Sequence, residues 1–265
     1  MTDPRIRVVA TSTSYRAAVA QLPMTVELSD DPAGAVAVVE GGDAWADAAR
    51  AEDRGAVALV LHDPPIGGVR HRPAVPVVVC RPFVPPTIAG PPPEPPHLLT
   101  VEVAVTSEDS GRWIRDALGW ARILAGGNLH LSGGAGTGRS ALLSAPGGVP
   151  VLLSVSPTAG AAVFRVTARG ASTVEVVADS GSGVVVRSTS SADGTTSLPA
   201  RLEDPRRAAL RDACAALRGE PVARGWDECR ADTDLAAAVV ARGIDPSDAG
   251  HSQTPVPGYV GIRQK

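Results

Sequence analysis

One run of residues has the outline of a phosphate-binding loop. Gly133-Gly134-Ala135-Gly136-Thr137-Gly138-Arg139-Ser140 follows the pattern G-x-x-x-x-G-K-[ST], except that Arg139 stands in place of the lysine. Such a loop cradles phosphates with backbone N–H groups and reaches the outer ones with the lysine. Here Pro146-Gly147-Gly148 would also cut the following helix to a few residues, too short for a useful dipole. The run therefore reads as a Gly/Ser-rich surface loop. Two other places could carry chemistry. His62, followed by Asp63-Pro64, ends one apolar run, and Cys80, followed by Arg81-Pro82, ends another. Open α/β sheets place ligands at the carboxyl ends of their strands. His62 is thus a candidate pocket base, set against the plainer reading of a loop histidine bonded to backbone. Arg81 beside Cys80 favours a thiolate, set against a buried, inert thiol. No serine sits in a G-x-S-x-G context, so there is no nucleophile elbow. His71, His97, His130 and His251 lack partners at metal-ligand spacing, so no metal is expected.

The elements that must hold these residues come from a chain of 265 residues with 44% hydrophobic and only 3% aromatic content. Its core must be built from Val, Ala and Leu. With 25 basic and 28 acidic residues the net charge is −3, which gives no footprint for nucleic acid or an anionic membrane. No window approaches the length of an apolar membrane span, and the start Met1-Thr2-Asp3-Pro4-Arg5 carries no secretory signal. A cytoplasmic location is expected. Cys80, Cys214 and Cys229 are odd in number and widely spaced, which argues for reduced thiols rather than disulfides. Lys265 is the only lysine. Arginine does not deprotonate in proteins, so mechanisms that need an internal lysine are excluded.

Residues 5–82 read as alternating strand and helix. Ile6–Ala10, Met24–Leu28, Ala35–Val39, Ala56–Leu61 and Val75–Cys80 are strands, while Tyr15–Leu22 and Ala44–Arg54 are helices. Continuous apolar runs such as Ala35–Val39 suit strands buried on both faces of a parallel sheet. Residues 84–97 are Pro-rich and read as a semi-rigid linker. Beyond them come a strand at Leu98–Val105 and a helix at Arg112–Leu124. Strands follow at Val149–Ser156, Ala162–Ala168, Thr173–Ala178 and Val184–Thr189, joined by turn residues. These form a largely antiparallel sheet with one face available for packing. Helices at Arg206–Arg218 and Asp232–Ala241 close the chain before a polar tail, 244–265. The expected class is α/β. A small Rossmann-like parallel-sheet domain, 1–83, is followed after the linker by an α+β domain, 98–243, with a large, mostly antiparallel open sheet.

Several segments in this order resemble one family. Asp116-Ala117-Leu118-Gly119-Trp120-Ala121-Arg122-Ile123-Leu124-Ala125-Gly126-Gly127 looks like the helix opening its second domain. Gly148–Ser154 and Arg165–Val177 look like its sheet strands, and Glu203–Glu220 and Arg230–Ala241 like its closing helices. Together they resemble the glucose–fructose oxidoreductase / inositol dehydrogenase family (Gfo/Idh/MocA) over residues 5–243. The resemblance implies a Rossmann domain, a cleft, and an open sheet of the kind that mediates oligomerisation in that family.

The family's functional motifs are not reproduced. Its glycine-rich turn, which lets a pyrophosphate approach the helix N-terminus, is here Ala10-Thr11-Ser12-Thr13-Ser14-Tyr15. Asp30 stands where the family's acidic residue binds the adenosine ribose, as a vestige. Cys80-Arg81-Pro82 occupies the place of Glu-Lys-Pro. Asp116 and Gly119 hold the positions of the catalytic histidine and its neighbour. Hydride transfer from a hydroxyl carbon needs a base for the hydroxyl proton. The expectation is therefore a catalytically degenerate relative without a cofactor, acting as a homo-oligomer or as partner subunit of an active relative. Three alternatives stand beside it. One is an enzyme using the cleft for cofactor-independent chemistry, with Arg81 as anion clamp, Asp116 as acid or base, and His62 or Cys80 at the strand ends. Another is an oxidoreductase that binds NAD or NADP through an atypical loop, supported by Asp30. The last is an ATPase built on the 133–140 run.

Overall fold

The computed structural model describes residues 5–66, 72–85, 91–92, 94–106, 110–135, 139–199, 203–220 and 225–241. His71, His251, parts of the Pro-rich segment and the tail 244–265 lie outside them.

Five short strands form a fully parallel sheet. They are β1 (Ile6–Val9), β2 (Val26–Leu28), β3 (Val36–Glu40), β4 (Ala58–His62) and β5 (Val77–Cys80), in the order β2-β1-β3-β4-β5. Side chains alternate across a strand, so each face collects its own apolar set. Val8, Val36, Ala58, Val60 and Val78 meet helices α1 (Thr13–Ala20) and α4 (Pro205–Leu217). Ala37, Val39, Leu59, Leu61 and Val79 meet α2 (Ala44–Asp53) and the start of α5 (Trp226–Ala241). Leu59 and Leu61 are wholly buried, which stabilises the fold by about 1.5–3 kcal/mol each. α4 thus runs back across the chain to cover the first sheet.

β2 and β3 flank β1 on opposite sides, yet no helix joins them. Residues 29–35 make the crossover alone. Asp31 accepts from Ala33 N at 3.0 Å, Arg7 Nη2 donates to Ala33 O at 2.9 Å, and Gly34 turns with φ +68°. Part of that sheet face is left without a helical cover. A groove of about 340 Å3 lies there between the crossover and α2, floored by Val9, Ala37 and Val39 and bordered by Thr11, Arg50 and Arg54.

The second sheet has eight strands. They are β6 (Leu98–Val105), β7 (His130–Ala135), β8 (Ser140–Ser144), β9 (Pro150–Pro157), β10 (Val163–Arg169), β11 (Thr173–Asp179), β12 (Val184–Ser191) and β13 (Gly194–Pro199). Their order is β13-β12-β11-β10-β6-β9-β8-β7, and all neighbours are antiparallel except β6 and β9. One face packs against α3 (Ser110–Ala125) and α5. Trp113, Ile114, Leu118, Trp120 and Leu124 of α3 meet Leu99, Val101, Val103, Leu153 and Phe164 in this core. The opposite face is open. Leu142 and Leu152 are exposed on it beside Thr100, Glu102 and Ser154.

The fold matches the expected class, with one local correction. The run 133–140 reads in sequence as a surface loop, but Gly133–Ala135 belong to β7 and Ser140 to β8, which pair with each other, and 136–138 lie outside the described residues. Ala141 and Leu143 point into the core on alternate positions, which a phosphate-loop helix could not do. Two antiparallel strands replace the strand, loop and helix that a nucleotide triphosphate site requires.

Candidate functional site

The ends of β4 and β5 meet α3 and α5 in one cluster of charged side chains. The sequence candidates Arg81 and Asp116 are brought together there, and they bind each other. Arg81, 5% exposed, donates from Nε to Asp116 Oδ1 at 2.9 Å, from Nη1 to Asp232 Oδ2 at 2.5 Å, and from Nη2 to Arg115 O at 2.8 Å. Arg115, wholly buried, donates from Nε to the same Asp116 oxygen and from Nη2 to Asp63 Oδ1 at 2.7 Å. Arg112 reaches the other oxygen of Asp63, and Arg122 binds both oxygens of Asp232. Seven charged side chains from the ends of β4 and β5, from α3 and from α5 therefore form one lattice. Asp63 starts it from a left-handed backbone, φ 48°, a conformation that aspartate tolerates better than most residues.

The sequence allows the lattice at one crowded position. A Cβ on Gly119 would lie 2.3 Å from Arg81 Nη2 and 2.8 Å from Asp232 Oδ2. Only glycine lets the guanidinium lie flat against α3. Burial opposes the charge on Asp116, but Arg115 and Arg81 outweigh it and hold the carboxyl below its ordinary range. Burial likewise opposes the Arg81 charge, and Asp116 and Asp232 overcome it. Both groups stay ionised and engaged. Asp116 cannot take a proton near neutral pH, and each of the three Arg81 nitrogens already donates to the chain.

The other pair of candidates lies one strand over. His62 and Cys80 are register partners at the ends of β4 and β5. The Tyr15 hydroxyl is 3.2 Å from His62 Nδ1, and the two rings meet edge to face with centroids 5.6 Å apart. Tyr15 is wholly buried beneath the Arg206 guanidinium, 5.9 Å from the ring centroid. Burial first, then Arg206, depresses the His62 pKa, so the ring is neutral near pH 7. Burial pushes the Tyr15 phenol up and keeps it protonated. Cys80 is buried, as are Cys214 and Cys229, and none forms a disulfide.

The loop after β1 has the geometry that its residue types imply. Ser12 caps α1 by accepting from Tyr15 N at 3.3 Å, so part of the helix N-terminus is satisfied by its own chain. Asp30 remains exposed in the bend after β2. Among the described residues no group of His, Cys, Asp or Glu could hold a metal ion. No described helix is long and apolar enough to cross a membrane.

Sequence reasoning missed Asp63, Arg115, Arg122 and Asp232. The adjacent Arg115-Asp116 pair inside an apolar helix was a usable signal for the first partners. Asp232, 151 residues from Arg81, gave none.

No protein-family model matches the sequence, and no curated protein matches it. Solved structures do. The UDP-N-acetylglucosamine 3-dehydrogenase of Acidithiobacillus ferrooxidans superposes with a TM-score of 0.60 at 13% identity, covering 91% of this chain and 98% of that one. A 3-ketoreductase from Actinomadura kijaniata, in complex with NADP and TDP-benzene, gives 0.57 at 13% identity over 90% and 98%. An aldose-aldose oxidoreductase from Caulobacter crescentus, complexed with glycerol, gives 0.52 at 13% over 91% and 89%. The ketoreductase complex corrects one expectation. The same fold holds NADP there, so the expectation of a cofactor-free chain is overturned. The chain has the fold of the Gfo/Idh/MocA-type oxidoreductases.

Proposed function

We propose that this chain is a non-redox member of the oxidoreductase fold that holds a nicotinamide dinucleotide as a ligand and acts through assembly. It would work as a homo-oligomer or as partner subunit of an active relative. The observation that carries this reading is the lattice. The groups placed to handle a substrate hydroxyl, Arg81 and Asp116, are buried against each other and against Asp232. Neither can exchange the proton that hydride transfer from a hydroxyl carbon releases.

The residues fit one half of such a cofactor. At the β1/β3 switch point, the groove offers Thr11, an apolar floor, Arg50 of α2, which also pairs with Asp47, and Arg54, which caps that helix. Arginine forks suit the phosphates of an adenosine nucleotide. When bound in an oxidoreductase, the nicotinamide ring supplies hydride chemistry. The lattice supports the opposite role at that end. The open face of the second sheet, with Leu142 and Leu152 exposed, supports assembly.

Calorimetric titration with NADPH and NADH, paired with sedimentation and an absorbance assay over a panel of aldoses and nucleotide sugars, tests the reading. Nucleotide binding without turnover, by an oligomer, is the expected result. Turnover of any panel member sinks the non-redox reading. A monomer that captures no partner sinks the assembly role.

A further inference from the structure

We propose that the carboxyl edge of β3 and β4 is a binding site for a small carboxylate that also carries a hydroxyl or ammonium group, seated among Glu40, His62, Arg112 and Arg206. This site adjoins the nucleotide groove at Glu40, which lines that groove, while His62, Arg112 and Arg206 are not among the groove's lining residues. Three buried charged atoms there have no hydrogen-bond partner: Glu40 Oε2, Arg112 Nε and Arg206 Nε. Leaving one such atom unpaired costs about 1–3 kcal/mol. Three at one edge point to a molecule that pairs with them.

The residues arrive from different elements. Glu40 ends β3, His62 ends β4, Arg112 lies in the first turn of α3, and Arg206 in the first turn of α4. All three charged residues act electrostatically on the His62 ring. Arg112 and Arg206 keep contacts elsewhere, to Asp63 and Asp204, which fix their direction while Nε remains available. The hydroxyl of the buried Tyr15, whose ring lies beneath Arg206, bonds to His62 Nδ1, which leaves Nε2 as the ring nitrogen not engaged by Tyr15.

The arrangement selects by charge and by donor. Two guanidinium groups attract a carboxylate. Glu40 Oε2 can only accept, so it needs an N–H or O–H on the same ligand. A bare carboxylate satisfies the arginines and repels Glu40. A hydroxy acid or an amino acid satisfies both signs. The ligand must be small, since one imidazole lies within reach of every group.

NMR of the His62 ring signals, assigned with His62→Gln, and calorimetry test the site with lactate, serine, acetate and inorganic phosphate as probes. Lactate or serine is expected to shift the ring signals and to bind about tenfold or more tightly than acetate. Glu40→Gln should erase that preference, and Arg206→Met should weaken every carboxylate by about tenfold or more. If Arg206→Met does not fold, Arg112→Met at the exposed side of the edge serves the same purpose. Unmoved ring signals with lactate and serine overturn the proposal, as does equal affinity for acetate. NADPH binding that persists alongside either failure leaves the nucleotide groove standing while removing this site.

Discussion

At the end of β5, Arg81 places each of its nitrogens against an acceptor. One strand over, at the end of β4, His62 is surrounded by charged residues whose buried atoms include three without partners. The two clusters share strand ends, burial and even a helix, since Arg112 and Arg115 both start from α3. They differ in closure. In the first, Asp116 Oδ2 is left over at the centre, and Arg112 Nε at the margin where the two clusters meet, so its interior has little to offer a ligand. In the second, the protein alone cannot complete the hydrogen bonding. A charged residue at a strand end is therefore weak guidance until its partners are counted.

The sharpest way to break this contrast is to cut the closed cluster. Arg81→Ala leaves Asp116 and Asp232 buried without their central partner, and should lower unfolding free energy by about 3–5 kcal/mol in urea titration. A loss under 1 kcal/mol would mean that water already fills the lattice and that the two clusters are alike. Gly119→Ala attacks the same cluster by volume. Its methyl must displace Arg81 or Asp232, at a cost of about 1–3 kcal/mol. Removing the α1 cap with Ser12→Ala should cost about 1 kcal/mol and free an amide at the loop. NADPH affinity should stay level or rise; a fall would show that the serine itself touches the nucleotide.

The smallest effect belongs to the open cluster and is read by pH. The folded state depresses the His62 pKa below the ordinary 6.5, so the unfolded chain takes up the proton first. The His62 contribution is complete above pH 6.5 and declines as pH falls through that value toward the folded pKa. His62→Gln should flatten stability over that window. Asp116 titrates only at stronger acid, because its carboxyl is held below the ordinary range. An unchanged slope in His62→Gln would assign the acid sensitivity to another group.

Much of the fold could be read from residue pattern. Val77–Cys80 is apolar without a break because helices cover both its faces. The β7–β8 hairpin was hidden because Gly133 and Gly134 supply no side chains to alternate. β13 was hidden because Gly194-Thr195-Thr196-Ser197 is polar throughout, on a strand at the sheet edge. The candidate residues were legible as types, and their roles were not. Arg81 and Asp116 look like an anion clamp and an acid when taken separately. Asp232 turns them into a closed lattice, and its place is set by α5 packing, which no local spacing reports.

The parallel pairing of β6 and β9 bears on how the chain is made. β6 lies between β9 and β10, and both are synthesised after it. On the ribosome, Leu99, Val101, Val103 and Val105 emerge with no strand to join. α3 follows directly and carries the side chains that pack on that face. A nascent β6–α3 unit can therefore shelter its apolar surface until the hairpins on either side are complete, in the interval when unpaired strands are most open to aggregation.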